Sequence, residues 1–397
     1  MIERAIYIER IKPFINKQLI KVLTGQRRVG KSAVLLLLID EIKKQNKDAN
    51  IIYIDKEDYG FSSITNDIEL NNYIIQNKKE NNNYLFIDEV QEIKDFEKVL
   101  RSYYKKDNFD IFITGSNANI FSSELSTHLS GRQIEFSIGS LSFNEFCLFH
   151  MMEQNQETLF EYIKYGGLPY LMHLPKNEKV RFEYLKNIFD TILFRDIVKR
   201  NKIRDPNFLT DLLRFLADNT GSLFSANSIS KYLKSQRINK NVQIIINYLT
   251  YIEDACFINN VKRTDIKGKA QFDVGGKYYF EDIGLRNSIV GFKMQDIEKI
   301  IENTVYLHLK NSDYVITIGD YNGKEIDFIA SKNNEISYFQ VCYLLESEKT
   351  IKREFGNLLA IKDNYPKYVI SFDSFSTSNT YRGVIHYTLL KFLSEFQ

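Results

Sequence analysis

Residues 25–32, Gly-Gln-Arg-Arg-Val-Gly-Lys-Ser, have the types and the spacing of a phosphate cradle. Gly25 and Gly30 let the backbone curl so that successive N–H groups, those of Gln26, Arg27, Arg28 and Val29 among them, converge on phosphate oxygens. Lys31 places a cation on the β and γ phosphates of a nucleotide, and the Ser32 hydroxyl is a ligand for Mg²⁺. From Ala33 onward a helix would add its positive N-terminal dipole end. A second pair of residues suits the same chemistry. Asp88 would hold Mg²⁺ through water beside Ser32, and Glu89 would orient and deprotonate an attacking water. A third polar group, Thr114, Ser116 and Asn117, would sense the γ phosphate if its strand lay between the other two. The alternative there is an ordinary strand-to-loop turn.

These residues need elements to position them. Leu19–Thr24 is a β-rich run that stops at Gly25, and Ala33–Ile42 is almost wholly apolar and unbroken, as a buried helix is. Strand, glycine loop and helix in that order is the context the cradle requires. Tyr84-Leu85-Phe86-Ile87 is an apolar run ending at Asp88-Glu89, as suits a parallel strand buried on both faces. Asn50–Asp55 and Asp110–Ser116 read as two more strands of the same sheet.

With these motifs the chain resembles the AAA+ class of P-loop ATPases. Asp88-Glu89 with Val90-Gln91-Glu92, then Thr114-Gly115-Ser116-Asn117, then Leu129-Ser130-Gly131-Arg132 is similar to one prokaryotic AAA ATPase family. Tyr165-Gly166-Gly167-Leu168-Pro169 is similar to that family's Gly-Gly-x-Pro signature. The likeness runs from about Arg4 to the C-terminus. It implies an ATPase core followed by a winged-helix segment and a nuclease-like C-terminal domain. It also implies that Arg132 senses or stabilises the nucleotide in catalysis, from the same chain or from a neighbouring subunit of a homo-oligomer. The competing reading of Arg132 is a surface salt bridge.

Composition sets bounds on all of this. A chain of 397 residues accommodates two or three domains with their own cores. With 53 Lys and Arg against 51 Asp and Glu, nothing global demands a polyanionic partner. Cys147, Cys256 and Cys342 are scattered, without metal-ligand spacing, and fit a reducing compartment. The N-terminus lacks a signal peptide's apolar stretch, and the apolar run Ala33–Ile39 is far short of the roughly 18 residues of a membrane span. The expectation is a cytoplasmic protein without a membrane partner.

The fold expected is α/β: a P-loop NTPase parallel sheet over 1–140, a helical lid over 141–220, a winged helix over 221–280 and a restriction-endonuclease-like domain over 281–397. Arg195 and Arg200 on the helical segment read as candidates for phosphate or as solvated charges. In the winged-helix segment nine basic residues, Lys231, Lys234, Arg237, Lys240, Lys262, Arg263, Lys267, Lys269 and Lys277, face four acidic ones, Glu253, Asp254, Asp265 and Asp273. That local excess favours contact with DNA phosphate, against a solvated face of a protein-docking module. In the last segment Glu302 and Asp327 suit a nuclease metal site. Gln340 and Cys342, however, stand where a second carboxylate and a lysine are needed, so a structural or DNA-docking role is preferred to cleavage. The leading function is an ATP- and Mg²⁺-dependent ATPase coupled to DNA remodelling. The alternatives are an ATP-controlled assembly switch and an ATP-regulated nuclease.

Overall fold

Five buried residues, Ile20–Thr24, open the first sheet as β1, and one of them is charged. Lys21 is tolerated in that run because it pairs with Asp110 on the neighbouring strand. Burial lowers the lysine and raises the aspartate, and their mutual attraction opposes both shifts. The computed structural model describes residues 2–117, 131–238, 240–267, 270–373 and 379–396, with backbone alone for 270–274. The chain divides into two units. One is Met1–Gly139 with Asp254–Cys256, and the other is Ser140–Glu253 with Phe257–Gln397.

The first unit begins with α1 (Ala5–Ile11), followed by β1, α2 (Lys31–Gln45), β2 (Asn50–Asp55), α3 (Asp67–Asn77), β3 (Asn83–Asp88), α4 (Phe96–Tyr104), β4 (Phe109–Gly115) and β5 (Gln133–Ser137). The strands lie in the order β2-β3-β4-β1-β5, and every pairing is parallel. β4 therefore lies between β1 and β3, which places Thr114 and Ser116 between the phosphate cradle and the Asp88-Glu89 pair. Both β1 and β3 are buried along their whole length, as strands covered by helices on both faces must be. One core packs Ile52, Ile54, Leu85, Ile87, Ile111 and Ile113 of the sheet against Leu70, Ile74, Val99 and Leu100 of the helices.

The second unit starts with helices: α5 (Phe143–His150), α6 (Gln156–Tyr165), α7 (Glu178–Thr191), a π-helical continuation over Ile192–Lys199, and α8 (Pro206–Asp218). Then come β6 (Leu223–Phe224), α9 (Ala226–Ser235), α10 (Val242–Asp254), β7 (Ile258–Asp265), β8 (Ala270–Phe280), α11 (Ile283–Val290), α12 (Ile297–Asn311), β9 (Val315–Tyr321), β10 (Lys324–Lys332), β11 (Glu335–Val341), α13 (Glu348–Leu359), β12 (Lys367–Ser371), β13 (Thr380–Tyr381), β14 (Val384–Thr388) and α14 (Leu389–Glu395). A Ser225–Ser228 capping box starts α9 at the expected place. β6, β8 and β7 pair antiparallel, and β7 pairs with β9 through Arg263–Ile318 to Asp265–Asp320. One nine-stranded sheet, β13-β14-β12-β11-β10-β9-β7-β8-β6, thus takes strands from both 221–280 and 281–397.

The Gly166-Gly167 break joins α6 to α11. Gly166 has φ +76°, and a Cβ there would stand 2.3 Å from an Asp282 carboxylate oxygen. Asp282 is buried and accepts from the Gly167 N–H at 2.8 Å and the Leu285 N–H at 3.0 Å, so it caps α11 and holds the glycine turn at once.

Candidate nucleotide-binding site

β1 ends at Thr24 and the chain turns at once. Gly25 has φ +144°, and a Cβ on it would lie 2.1 Å from the Ile138 carbonyl oxygen, so only glycine fits. Arg28 at the loop tip and Gly30 at its end are also left-handed. No side chain caps α2, which leaves its first N–H groups pointing at the space in front of the loop. Lys31 is buried. Its Nζ donates to the Gly25 carbonyl at 3.0 Å and the Gln26 carbonyl at 3.1 Å, and it stands 3.6 Å from Glu89 Oε1. Gln26 is buried too, and neither end of its amide finds a hydrogen-bond partner among the described residues. A buried amide in that condition is poised for a ligand.

The carboxylates complete the arrangement. Asp88 ends β3, and Glu89 takes a left-handed backbone at φ +54°. Such a conformation is strained for a non-glycine residue and is common where function demands it. The Thr114 hydroxyl donates to Asp88 Oδ1 and accepts from the Glu89 N–H at 2.9 Å, so one side chain of β4 aligns both acids. Ser32 hydrogen-bonds the Asp88 carboxylate. Burial raises Asp88, against the pull of those two hydroxyls. Burial also pushes Glu89 up, but Lys31, Gln91, Arg27 and Ser116 together outweigh it and hold Glu89 below the usual carboxylate range. Glu89 is therefore ionised at neutral pH, as a base must be. Gln91 Nε2 donates to Glu89 Oε2 and reaches Ser116 Oγ at 3.3 Å. Asn117 is buried beside Ser116 in sequence.

Other residues singled out in the sequence lie elsewhere. Arg27 pairs with Glu57 at 3.1 Å, while Arg28 is exposed, Val29 is buried and Ala33 is half-buried at the start of α2. Arg132 does not reach the cradle within this chain. Its carbonyl accepts from the Ile20 N–H at 2.9 Å, at the end of the sheet where β1 begins, and its guanidinium lies over the Tyr104 ring at 5.7 Å. The five residues of β1 separate that end from the loop, a span of about 15 Å. Leu129 and Ser130 fall outside the described residues. Arg195 is exposed and Arg200 is half-buried.

Three participants escaped the sequence reading. Glu57 gave no signal. Gln91 gave one, its position two residues after Glu89. Arg4, fully buried, donates to the Val29 carbonyl at 2.9 Å and the Gly139 carbonyl at 3.0 Å, bracing the loop from behind.

Residues 17–147 match the family described as an AAA domain, and residues 156–296 match a domain of unknown function. An uncharacterized protein of Haemophilus influenzae is 36% identical over 379 residues, which is 94% of this chain and 93% of that protein. The chain belongs to this AAA-domain family. A Methanocaldococcus jannaschii relative, also uncharacterized, is 32% identical over 370 residues, covering 89% of the AAA-domain chain and 80% of its own. Among solved structures, the Aeropyrum pernix ORC1 protein in complex with DNA is similar at 8% identity and TM-score 0.33, over 73% of this chain and 92% of that one. The replication initiator DnaA bound to AMPPCP and single-stranded DNA is similar at 14% identity and TM-score 0.34, over 63% and 88%. Scores this low lend no argument about either unit.

In the second unit of this AAA-domain protein, Glu302 of α12 and Asp327 of β10 do come together, but around a lysine. Lys277 of β8 is 2.8 Å from Glu302 Oε1, 2.7 Å from Glu325 Oε1 and 3.4 Å from Asp327 Oδ1. Burial pushes the Lys277 ammonium toward neutrality, yet Glu302, Asp327 and Glu325 more than offset it and hold it well above the ordinary lysine range. Burial raises both Glu302 and Asp327. Cys342 is buried and its thiol is pushed up strongly, chiefly by burial.

The basic face read along 221–280 is correspondingly smaller. Lys277 turns inward, Lys240 pairs with Asp205 at 2.6 Å, Arg263 pairs with Asp320, and Lys269 lies outside the described residues. Lys231 and Lys234 of α9, Arg237 just after it, and Lys262 and Lys267 of and beyond β7 remain exposed.

Proposed function

We propose that this AAA-domain protein binds ATP with Mg²⁺, hydrolyses it, and couples turnover to work on DNA. The observation that carries the hydrolytic half is the convergence of Lys31, Glu89, Ser32, Asp88 and Thr114 on one spot. The phosphates would lie over the loop N–H groups and the uncapped start of α2. A γ phosphate would take Lys31 from its three oxygen partners, Gly25, Gln26 and Glu89, because a phosphate oxygen is the stronger acceptor for an ammonium. Glu89, then unpaired but still held by Gln91, would orient a water and accept its proton. Ser32 and Asp88 offer adjacent hard oxygens of the kind Mg²⁺ takes. The ion, when bound, supplies neutralisation of the phosphate charge. Ser116 and Asn117 would sense the phosphate from the end of β4. Arg132 would act only from a neighbouring copy, which makes a homo-oligomer part of the proposal.

For the DNA half, β6, α9, α10, β7 and β8 follow α8 in the order of a winged helix, and we assign 221–280 to that module. Turnover would move the helical segment 141–220, the candidate lid, together with this module. Lys231, Lys234, Arg237, Lys262 and Lys267 would take backbone phosphate. Filter binding of duplex and branched DNA across a salt series tests this. Replacing Lys231, Lys234 and Arg237 by Ala should weaken binding to every sequence alike and lower the salt slope by about one per lost phosphate contact. Absence of wild-type binding even at low salt would sink the DNA half.

One observation favours a second reading. α10, which occupies the position of a recognition helix, has no basic residue and exposes Gln243, Ile244, Ile246, Asn247 and Thr250. That face suits a protein partner, and then ATP would control assembly. Slow hydrolysis without DNA stimulation, with a nucleotide-dependent change of oligomeric state, would favour this reading.

A further inference from the structure

The C-terminal fold raises an expectation of Mg²⁺ at Glu302 and Asp327, and the residues around those two acids do not fit it. A lysine ammonium has three protons to donate. Lys277 directs its Nζ at Glu302 Oε1 (2.8 Å), Glu325 Oε1 (2.7 Å) and Asp327 Oδ1 (3.4 Å), so each acid spends an oxygen on the same cation. The same Glu302 oxygen takes a second donor, and the other oxygen of Asp327 is taken by backbone. Tyr279 OH donates to Glu302 Oε1 at 2.6 Å, and the Val341 N–H donates to Asp327 Oδ2 at 2.8 Å. The Lys277 side chain is only 3% exposed, so it cannot swing to solvent without unpacking β8.

Mg²⁺ demands a near-octahedral set of oxygens at about 2.0–2.1 Å. A divalent ion among these acids would lie within a few ångströms of the ammonium, and like charges at that separation in a water-poor site repel strongly. Gln340 stands across from Asp327, one step beyond the Phe328–Phe339 pair, with its Oε1 buried and without a partner among the described residues. It contributes a neutral amide where a metal site needs charge. Cys342, two residues after Gln340 and just beyond β11, contributes a buried thiol. Among the described residues no group of three or more His, Cys, Asp or Glu side chains is disposed to hold a metal.

We infer that Lys277 is a built-in cation standing in place of a divalent metal, and that its ammonium is what keeps Glu302, Asp327 and Glu325 from forming a metal site. The second unit is then a fold that carries its own counter-ion and needs no metal. Removing the ammonium leaves three acids around a cation-sized space, and such a space takes a divalent ion. This inference concerns the second unit alone and stands whether or not the first unit hydrolyses ATP.

The test is a nucleotide-free titration of the full chain with Mn²⁺, followed by the electron paramagnetic resonance signal of the unbound ion. Wild-type protein is expected to show no saturable site in the range where K277A gains one Mn²⁺ per chain. K277A/D327N is expected to lose that site again, and the melting temperature of K277A, but not of wild type, should rise with Mn²⁺. Should K277A fail to fold by circular dichroism, K277Q, which keeps most of the side chain, takes its place. The inference is overturned if wild type binds one Mn²⁺ per chain and D327N abolishes that binding. It is equally overturned if a folded, uncharged variant at 277 binds no Mn²⁺, or binds it undiminished after D327N is added.

Discussion

At the scale of single residues, the site is organised around one hydroxyl and one ammonium. The hydroxyl of Thr114 ties the Asp88 carboxylate to the Glu89 backbone N–H, and the ammonium of Lys31 links the loop carbonyls to the Glu89 carboxylate. Each link makes a different prediction. E89Q should retain ATP, since the cradle is intact, while turnover falls by a factor of about 10²–10⁴, the usual worth of a positioned base. Nucleotide binding by fluorescence and phosphate release in the same samples separate the two effects. T114A removes the hydroxyl that holds the Asp88 carboxylate and the Glu89 backbone N–H, leaving Asp88 to Ser32 and the Glu89 carboxylate to Lys31 and Gln91. Turnover should fall by about ten- to a hundredfold, as when an orienting group is lost, with ATP affinity little changed. The acidity of Glu89 gives a pH dependence. Its carboxyl lies below the usual range in the fold, so the base form persists through neutral pH. The pH profile should stay flat down to pH 5 and fall only in stronger acid; an inflection between pH 6 and 7 that disappears in E89D would contradict this account of Glu89.

At the scale of elements, the Gly166 turn and the buried histidines of the second unit carry the predictions. G166A must either hold Ala at φ +76° or displace Asp282, and both cost stability. Denaturant titration should show a loss of about 2 kcal/mol or more. His308 on α12 donates from Nε2 to the Phe396 carbonyl at 2.8 Å and is lowered by burial to about 4. His150 is lowered to about 4 as well, by burial first and then by Arg181 and Lys176. A histidine depressed in the fold contributes stability that is complete above its unfolded value of about 6.5 and is lost as pH falls below it. The second unit should therefore weaken between about pH 6.5 and 4, and the double variant H150Q/H308Q should flatten that slope. A slope unchanged by the double substitution would remove both histidines from the explanation.

Elements also show how far sequence reasoning reaches. The place of β4 between β1 and β3 was legible, because a cradle after one strand and two acids after another leave few ways to bring them together. The Asp88–Ser32 contact followed from the same constraint. The destination of Lys277 was not legible. In a segment with an excess of basic residues it reads as one more phosphate contact. It turns inward because β7 pairs with β9, some 55 residues farther along the chain, and so brings β8 into reach of α12 and β10. The end of the sheet at which Arg132 sits was not legible for a similar reason. Its motif suggests proximity to phosphate, but β5 starts one residue later and runs parallel to β1, which fixes Arg132 at the strand's origin. Local pattern predicts which residues form a strand, whereas the end at which a residue sits depends on pairings far away in sequence.

At the scale of the whole molecule, the proposed chemistry belongs to the first unit and the proposed contacts with DNA to the second. The charge of the chain, +2 overall, does not by itself recruit DNA. On the proposed reading, DNA contact comes from Lys231, Lys234 and Arg237 with the β7 cations, so stimulation of turnover by DNA should vanish in K231A/K234A/R237A while basal turnover is kept. Equal stimulation in the variant would move DNA contact elsewhere. The proposed ATP hydrolysis rests on Lys31 and Glu89. Steady-state phosphate release by the full chain with Mg²⁺, measured beside K31A and E89Q, tests it most directly. Wild type should release phosphate in a Mg²⁺-dependent way, and both variants should lose that release. Wild-type rates in either variant, or no release from wild type that binds ATP, would contradict it.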